Sequence, residues 1–195
     1  MVKIKICGLR RQEDVNYVNA LKPDYVGFIL TCGFRRSIDK ATAKSLKSRL
    51  DGNIRAVGVF VDDDIDRIND YVNEGIIDIV QLHGAESPDY CEKINAPVIK
   101  YFNPENFEGA EKYGVDYYLL DSGTGTGNTF DWQKIPEYKK PFFLAGGLNC
   151  DNISSAIRQV NPFAVDISSG VETDGVKDYN KMKKIMEIIR RTENE

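Results

Sequence analysis

Residues 54–82 read IRAVGVFVDDDIDRINDYVNEGIIDIVQL, in which two apolar segments flank one polar, periodic segment. Residues 54–61 and 77–82 predict buried strands, because near-continuous runs of apolar and β-branched residues suit a sheet covered on both faces. Residues 64–74 carry apolar side chains at helical spacing, with Asp64 at the N-cap position and Gly75 as a stop signal. A strand–helix–strand order predicts parallel strands joined by a helical crossover.

The same alternation continues in both directions along the chain. Helical patterns cover residues 11–21, 39–50 and 176–191, a brief helix is expected within 103–113, Asp39 and Asn149 occupy N-cap positions, and Gly114 is a second stop signal. Further strands are predicted at residues 2–7, 25–30, 98–102, 117–121, 142–145 and 163–167. The resulting eight strands match the closure number of the TIM (β/α)8 barrel. We therefore expect one compact α/β barrel domain over residues 1–195, with short loops; an open doubly wound sheet is the competing architecture.

Composition excludes several classes of function. The chain is 42% hydrophobic and 29% charged, as in ordinary globular proteins, and its formal net charge of −4 argues against nucleic-acid or anionic-membrane partners. No segment approaches the ~20 apolar residues of a membrane span. Scattered cysteines without a Cys-x-x-Cys pair, and a start that does not resemble a secretory signal, predict a cytoplasmic protein with reduced thiols. His83 has no partner at ligand spacing, so no metal site is expected.

Glycine-rich turns follow the last two predicted strands. Gly146 and Gly147 come after strand seven, and Ser169 and Gly170 come after strand eight. Loops at these positions of a barrel often bind phosphate through backbone N–H groups, and glycine permits the close approach. The alternative is a pair of plain turns before helices. The run at 123–129, GTGTGNT, is either an active-site loop or a linker, and it lacks the Gly-Lys-Ser/Thr ending of a P-loop.

Two candidate acid–base groups lie where predicted strands end. Cys7 closes the first strand, and a thiol with a reference pKa of ~8.5 exchanges protons near neutral pH after a modest shift. The alternative for Cys7 is an inert, buried thiol. Asp121 ends the sixth strand, where it serves either as a general acid or as a turn cap.

Other charged residues have simpler interpretations. Asp131 is expected to cap a helix, and Asp166 is expected to be a buried structural carboxylate within strand eight. Arg35 and Arg36 follow strand two, where one guanidinium would bind a carboxylate through two bonds or the pair would simply be solvated.

An ordered set of short motifs runs nearly from end to end. They are KICGL at 5–9, VGVFV at 57–61, QLHG at 81–84, LD at 120–121, TFDW at 129–132, LAGGL at 144–148 and VDISSGVE at 165–172. In this order they resemble the phosphoribosylanthranilate isomerases of tryptophan biosynthesis. The resemblance implies a (β/α)8 barrel, a small phosphosugar substrate and an Amadori rearrangement of N-(5′-phosphoribosyl)anthranilate that requires no cofactor.

The resemblance also implies roles for individual residues. Asp121 would protonate the ring oxygen of the sugar, and Cys7 would remove the proton from C2′. Gly147, Ser169 and Gly170 would bind the phosphate, and His83 would line the site without an assigned proton.

One segment departs from the family pattern. Residues 31–36 read TCGFRR where the family usually has Ser-Pro-Arg or Ser-Lys-Arg, so the carboxylate-binding arginine is Arg35 or Arg36, and the spacing favours Arg36. A non-catalytic phosphosugar-binding barrel and an isomerase of broader aminoaldose specificity remain alternatives, and the chain is expected to be a monomer or a homodimer.

Overall fold

The computed structural model describes residues 1–104, 109–121, 132, 135 and 140–192. Parallel strands β1 to β8 pair in sequence order, and β1 also pairs with β8, so the sheet closes into a barrel. This closure confirms the barrel and excludes the open doubly wound sheet. The strands are β1 Lys3–Cys7, β2 Tyr25–Ile29, β3 Arg55–Phe60, β4 Ile79–Leu82, β5 Val98–Phe102, β6 Tyr117–Leu120, β7 Phe142–Leu144 and β8 Ala164–Ile167.

Helices connect most of the described strands on the outside of the barrel. They are α1 Gln12–Leu21, α2 Lys40–Lys47, α3 Ile65–Asn73, α4 Pro88–Cys91, α5 Ile153–Val160 and α6 Tyr179–Thr192, with short 3₁₀ turns at Ala110–Lys112 and Ser169–Val171. The 3₁₀ turn at Ala110–Lys112 lies within the predicted brief helix. Within the part of the chain that the structure covers, no helix is both long and apolar enough to cross a membrane.

Two of the three predicted helix caps that lie within the described residues are confirmed. Asp39 accepts a hydrogen bond from the backbone N–H of Thr42 at 2.8 Å, and Asp64 accepts one from that of Arg67 at 3.0 Å. The cap predicted at Asn149 is wrong, because α5 begins at Ile153 with Asn152 as its N-cap.

The predicted helix over 176–191 begins three residues late. Two short strands, β9 Glu172–Thr173 and β10 Val176–Lys177, form a hairpin instead. The carboxylate of Asp178 then accepts hydrogen bonds from the backbone N–H groups of Asn180 and Lys181 and caps the start of α6. The hairpin brings Glu172 and Lys177 beside the carboxyl ends of the barrel strands.

The barrel interior changes from apolar to polar along the strands. One interior cluster is entirely apolar and consists of Tyr25, Val57, Ile79, Ile99, Leu119, Phe143, Ala145 and Ala164. Lys5 of β1 contacts Gln81 of β4 and Asp166 of β8, and because β1 and β4 are not neighbours, the contact with Gln81 crosses the inside of the barrel. Ligand sites of such barrels lie at the carboxyl ends of the strands.

Candidate active site

A cavity of about 420 Å³ opens at the carboxyl ends of the strands. All of the predicted site residues except Gly170 line it, namely Cys7, Arg36, His83, Asp121, Gly146, Gly147 and Ser169. Sequence reasoning gave no site role to Phe34, Gln81 or Asp166, which also line it. The fold therefore brings residues from most of the chain to one pocket.

The thiol of Cys7 lies at the end of β1 and is 8% exposed. Cys7 pairs with Gly27 of β2, where a Cβ atom would come within 2.6 Å of the sulfur, so glycine at that position makes room for the thiol. Burial raises the pKa of Cys7; the ammonium of Lys5 acts in the opposite direction but does not outweigh it. The thiol is consequently protonated at neutral pH in the unliganded protein.

A buried ion pair lies beside this thiol. The ammonium of Lys5 donates hydrogen bonds to Gln81 Oε1 at 2.5 Å and to Asp166 Oδ2 at 2.6 Å. Burial opposes the charge of Lys5, but the nearby carboxylate of Asp166 outweighs it, so the pKa of Lys5 is raised. Because Lys5 precedes Cys7 by two residues in a strand, both side chains lie on the same face. The alternation of side chains along β1 is therefore the sequence signal that could have placed Lys5 beside Cys7.

His83 is held as a neutral imidazole. Its Nδ1 lies 3.0 Å from Gln81 Nε2, and its ring stacks on Tyr101 with centroids 4.2 Å apart. Because Gln81 Oε1 already accepts from Lys5, its amide nitrogen donates to Nδ1, which assigns the imidazole proton to Nε2. Burial, reinforced by the charge of Lys5, lowers the pKa of His83 to about 4.

Asp121 borders the cavity from another strand. It follows β6 directly, is half-buried, and its backbone N–H donates to the carbonyl of Phe102. Strands β7 and β8 separate it from Cys7 in the barrel order. A carboxyl group and a thiol therefore face one cavity from different walls.

The cavity distinguishes the two adjacent arginines. Arg36 lines it and is 21% exposed, whereas Arg35 is 65% exposed and lies against Gly175 of the hairpin turn. Arg36 donates to Glu172 through Nε at 2.7 Å and through Nη2 at 2.8 Å. Burial disfavours the charge of Glu172, yet hydrogen bonds from Arg36 and Lys177 lower its pKa to about 2.

The two glycine-rich turns touch each other. Gly146 and Gly147 have φ values of 89° and 63°, which favour glycine, and the Gly147 carbonyl accepts from the side-chain amides of Asn149 and Asn152. A Cβ atom at Gly170 would lie 2.0 Å from the carbonyl oxygen of Leu148. Gly170 thus packs closely against the backbone that follows Gly147, although it does not line the cavity.

Two predictions fall outside the residues that the structure covers. They concern the glycine-rich segment 123–129 and the helix cap at Asp131. Among the described residues, no cluster of three or more His, Cys, Asp or Glu side chains is arranged to hold a metal ion.

Comparison with known proteins agrees with this geometry. The family model for N-(5′-phosphoribosyl)anthranilate (PRA) isomerase matches residues 4–188. The N-(5′-phosphoribosyl)anthranilate isomerase of Endomicrobium trichonymphae is 47% identical over 97% of this chain and 99% of that protein.

Solved structures give the same result. Phosphoribosylanthranilate isomerase from Thermotoga maritima, a dimeric enzyme that is also solved as generated monomers, superposes with a TM-score of 0.90 at 36% identity, over 98% of this chain and 100% of that one. Another phosphoribosylanthranilate isomerase is solved in complex with reduced 1-(o-carboxyphenylamino)-1-deoxyribulose 5-phosphate; its TM-score is 0.85 at 34% identity, over 98% and 100% of the two chains. The chain belongs to the N-(5′-phosphoribosyl)anthranilate isomerase family.

Proposed function

We propose that this protein catalyses the Amadori rearrangement of N-(5′-phosphoribosyl)anthranilate in tryptophan biosynthesis. The product is 1-(o-carboxyphenylamino)-1-deoxyribulose 5-phosphate. The observation that carries the proposal is the placement of Cys7 and Asp121 on different walls of one cavity. Ring opening requires a proton donor and enolisation requires a proton acceptor, so a substrate held between the two groups meets both requirements.

Asp121 acts first, as the general acid. Its carboxyl proton goes to the furanose ring oxygen while the C1′–O bond breaks. The lone pair of the anthranilate nitrogen forms the C1′=N bond of an iminium ion. The positive charge next to C2′ then acidifies the C2′ proton.

Cys7 acts second, as the general base. The thiol first loses its own proton to solvent; the thiolate then takes the proton from C2′, the C–H electron pair becomes the C1′=C2′ bond, and the iminium electrons return to nitrogen. The resulting enolamine gains a proton at C1′ and loses one from the C2′ hydroxyl, which gives the ketone. Atoms and electrons balance within the substrate, so the reaction needs no redox cofactor.

The anthranilate end of the substrate suits the Arg36 side of the cavity. Arg36 holds the carboxylate through the guanidinium hydrogens that Glu172 does not use. Phe34, which is 50% exposed and lines the same cavity, offers its ring to the aromatic ring of the substrate.

The phosphate end suits the glycine-rich turns. No hydrogen bond within the described residues uses the backbone N–H of Gly146 or Gly147. These two groups, together with the backbone of Ser169 and Gly170, would bind the phosphate in the way that loops after strands seven and eight commonly do. His83, a neutral donor through Nε2, lines the middle of the substrate.

The expected domain organisation, location, assembly and partners of the protein follow from the same proposed function. Residues 1–195 would form one barrel domain acting in the cytoplasm as a monomer or homodimer, with a small molecule as its ligand and no nucleic-acid partner. Light scattering of the purified chain distinguishes the monomer from the dimer.

Turnover of fluorescent N-(5′-phosphoribosyl)anthranilate by the purified protein tests the function. We expect the substrate fluorescence to decay at a rate proportional to enzyme concentration. Tight binding without decay would instead indicate a non-catalytic phosphosugar-binding barrel. A parallel assay with the aminoaldose phosphate of histidine biosynthesis tests specificity, and comparable turnover of both substrates would indicate the broader isomerase.

A further inference from the structure

Asp166 carries a carboxylate oxygen whose hydrogen-bonding capacity the described protein leaves unused. Its Oδ2 accepts from Lys5, whereas Oδ1 has no hydrogen-bond partner among the described residues and exposes less than 1 Å². A buried carboxylate oxygen without a donor is rare, because the group loses its hydration without compensation. Such an oxygen requires an explanation beyond packing.

The side chain of Asp166 borders the cavity. It is one of the lining residues, and 7% of the side chain remains exposed. The terminal torsion of aspartate is soft, so a small rotation about χ2 turns Oδ1 towards a ligand while Lys5 keeps its bond to the carboxylate. A donor arriving from the cavity would therefore complete the hydrogen bonding of this group.

The position of Asp166 indicates which part of the substrate it meets. It lies on β8, which pairs with β1, and it is bonded to Lys5, two residues before Cys7. The substrate carbon that gives its proton to Cys7 also carries a hydroxyl group. That hydroxyl is one bond away from the reacting carbon, so a substrate placed against the thiol can present it to the neighbouring Asp166.

We infer that the carboxylate of Asp166 binds the C2′ hydroxyl of the substrate and thereby turns the C2′ hydrogen towards Cys7. The inference rests on the proposed function. As the enolamine forms, this hydroxyl becomes an enol, which is a stronger donor than an alcohol, so the hydrogen bond strengthens as the C–H bond breaks. Asp166 thus contributes to turnover as well as to binding.

The test uses three probes that need no turnover. They are the reduced product analogue, which carries a hydroxyl on C2, and its 2-deoxy and 3-deoxy counterparts. Dissociation constants are measured by calorimetry for the unmodified protein and for Asp166→Asn. In the variant, Lys5 holds the remaining oxygen, so the amide NH₂ faces the hydroxyl.

We expect the unmodified protein to bind the 2-deoxy analogue about tenfold to a hundredfold more weakly than the parent, the range for a hydrogen bond to a charged group. Asp166→Asn should bind the two almost equally, and its kcat should fall more than its KM rises. Equal binding of parent and 2-deoxy analogue by the unmodified protein would overturn the inference without any variant. So would a loss confined to the 3-deoxy analogue, or an equal loss in both proteins.

Glu86→Gln is the matched control. Glu86 is also a buried carboxylate paired to a buried lysine, Lys100 at 2.8 Å, but it does not line the cavity. The control should lose stability and keep the preference for the 2-hydroxyl. Failure of the proposed function would look different, because the unmodified protein would then neither turn over the substrate nor bind the parent analogue.

Discussion

Arg36 and Glu172 form a two-bond ion pair at the edge of the cavity, with N–O distances of 2.7 Å and 2.8 Å. The carboxylate is 6% exposed and also accepts from the buried ammonium of Lys177 at 2.8 Å. Since the pKa of Glu172 is held at about 2, the pair stays charged across the working pH range. The hairpin that supplies Glu172 and Lys177 therefore fixes the direction of the arginine that is proposed to bind the substrate carboxylate.

Glu172→Gln should weaken substrate binding more than turnover. The amide keeps the shape of the carboxylate, but because Oε1 and Oε2 each accept from Arg36, either orientation directs an NH₂ group at Arg36 and releases it from its fixed position. We expect KM to rise roughly tenfold, the order of one charge-assisted hydrogen bond, with a smaller fall in kcat. Steady-state kinetics measures the split. Glu187→Gln, on the exposed face of α6, is the control and should leave both constants unchanged.

Cys7→Ala should abolish most turnover while leaving the pocket able to bind. Loss of a general base lowers kcat by about 10²-fold or more, and alanine creates no clash where the thiol was. Calorimetry with the reduced product analogue should show nearly unchanged affinity. Cys150→Ala, at a half-buried thiol outside the cavity lining, is the control. Near-normal turnover by Cys7→Ala would remove Cys7 from the mechanism.

Lys5→Met should move the pH profile of the reaction. Cys7 acts as a thiolate and its pKa is raised, so kcat/KM should climb with pH and continue to climb beyond the ordinary thiol pKa of ~8.5. The charged groups acting on the thiol are Lys5 on β1, Asp166 on β8 and, from outside the barrel strands, Arg36 and Lys177. Removing the Lys5 charge raises the pKa of Cys7 further, which shifts the rising limb to higher pH.

A purely structural role for Lys5 would give a different profile. Activity would then fall by the same factor at every pH, and the limb would not move. The neutral His83, with its pKa of about 4, should add no limb between pH 6 and 8 in either protein.

Asp121→Asn should lower kcat by about 10²-fold or more, because an amide has no proton to give to the ring oxygen. The substrate analogue, whose sugar is already open, should still bind. Asp116→Asn is the matched control, since Asp116 lies just before the other end of β6 and accepts from the backbone N–H of Val98. That variant should be less stable but active. Near-normal turnover by Asp121→Asn would mean that another group donates the proton to the ring oxygen.

The sequence predicts local features of this site well. Strand ends and helix starts are coded by neighbouring residues, and so Cys7, Asp121 and the caps Asp39 and Asp64 fall where expected. The hairpin at 172–177 was missed because the helical spacing of apolar residues in α6 extends back to Val176 in the sequence; two-residue strands carry too little periodicity to be recognised.

Partners separated by many residues could not be predicted. The Lys5–Asp166 contact joins positions 161 residues apart and the Arg36–Glu172 contact positions 136 apart. Only closure of the barrel brings them together. The interpretation of Asp166 as a structural carboxylate rested on its strand alone, which does not reveal that one oxygen at the cavity wall has no donor among the residues that the structure covers.

Gly27→Ala should impair the reaction although it replaces no reacting group. The added methyl would lie 2.6 Å from the sulfur of Cys7 and 3.1 Å from its Cα, so the thiol must turn and the strand must shift. Overpacking of this kind costs about 1–3 kcal/mol of stability, and a displaced base loses much more in kcat than in binding. We expect kcat to fall at least about tenfold.

Gly58→Ala is the control that separates displacement of the Cys7 sulfur from the general loss of stability caused by overpacking. Its methyl would also come within 2.6 Å of a side chain, that of Ile77, but on the outer side of β3 and away from the cavity lining. Both variants should lower the midpoint of thermal unfolding, whereas only Gly27→Ala should lower kcat. Equal kcat values in the two variants would mean that the position of the sulfur does not limit the reaction, because the strain would be shared but the displacement of Cys7 would not.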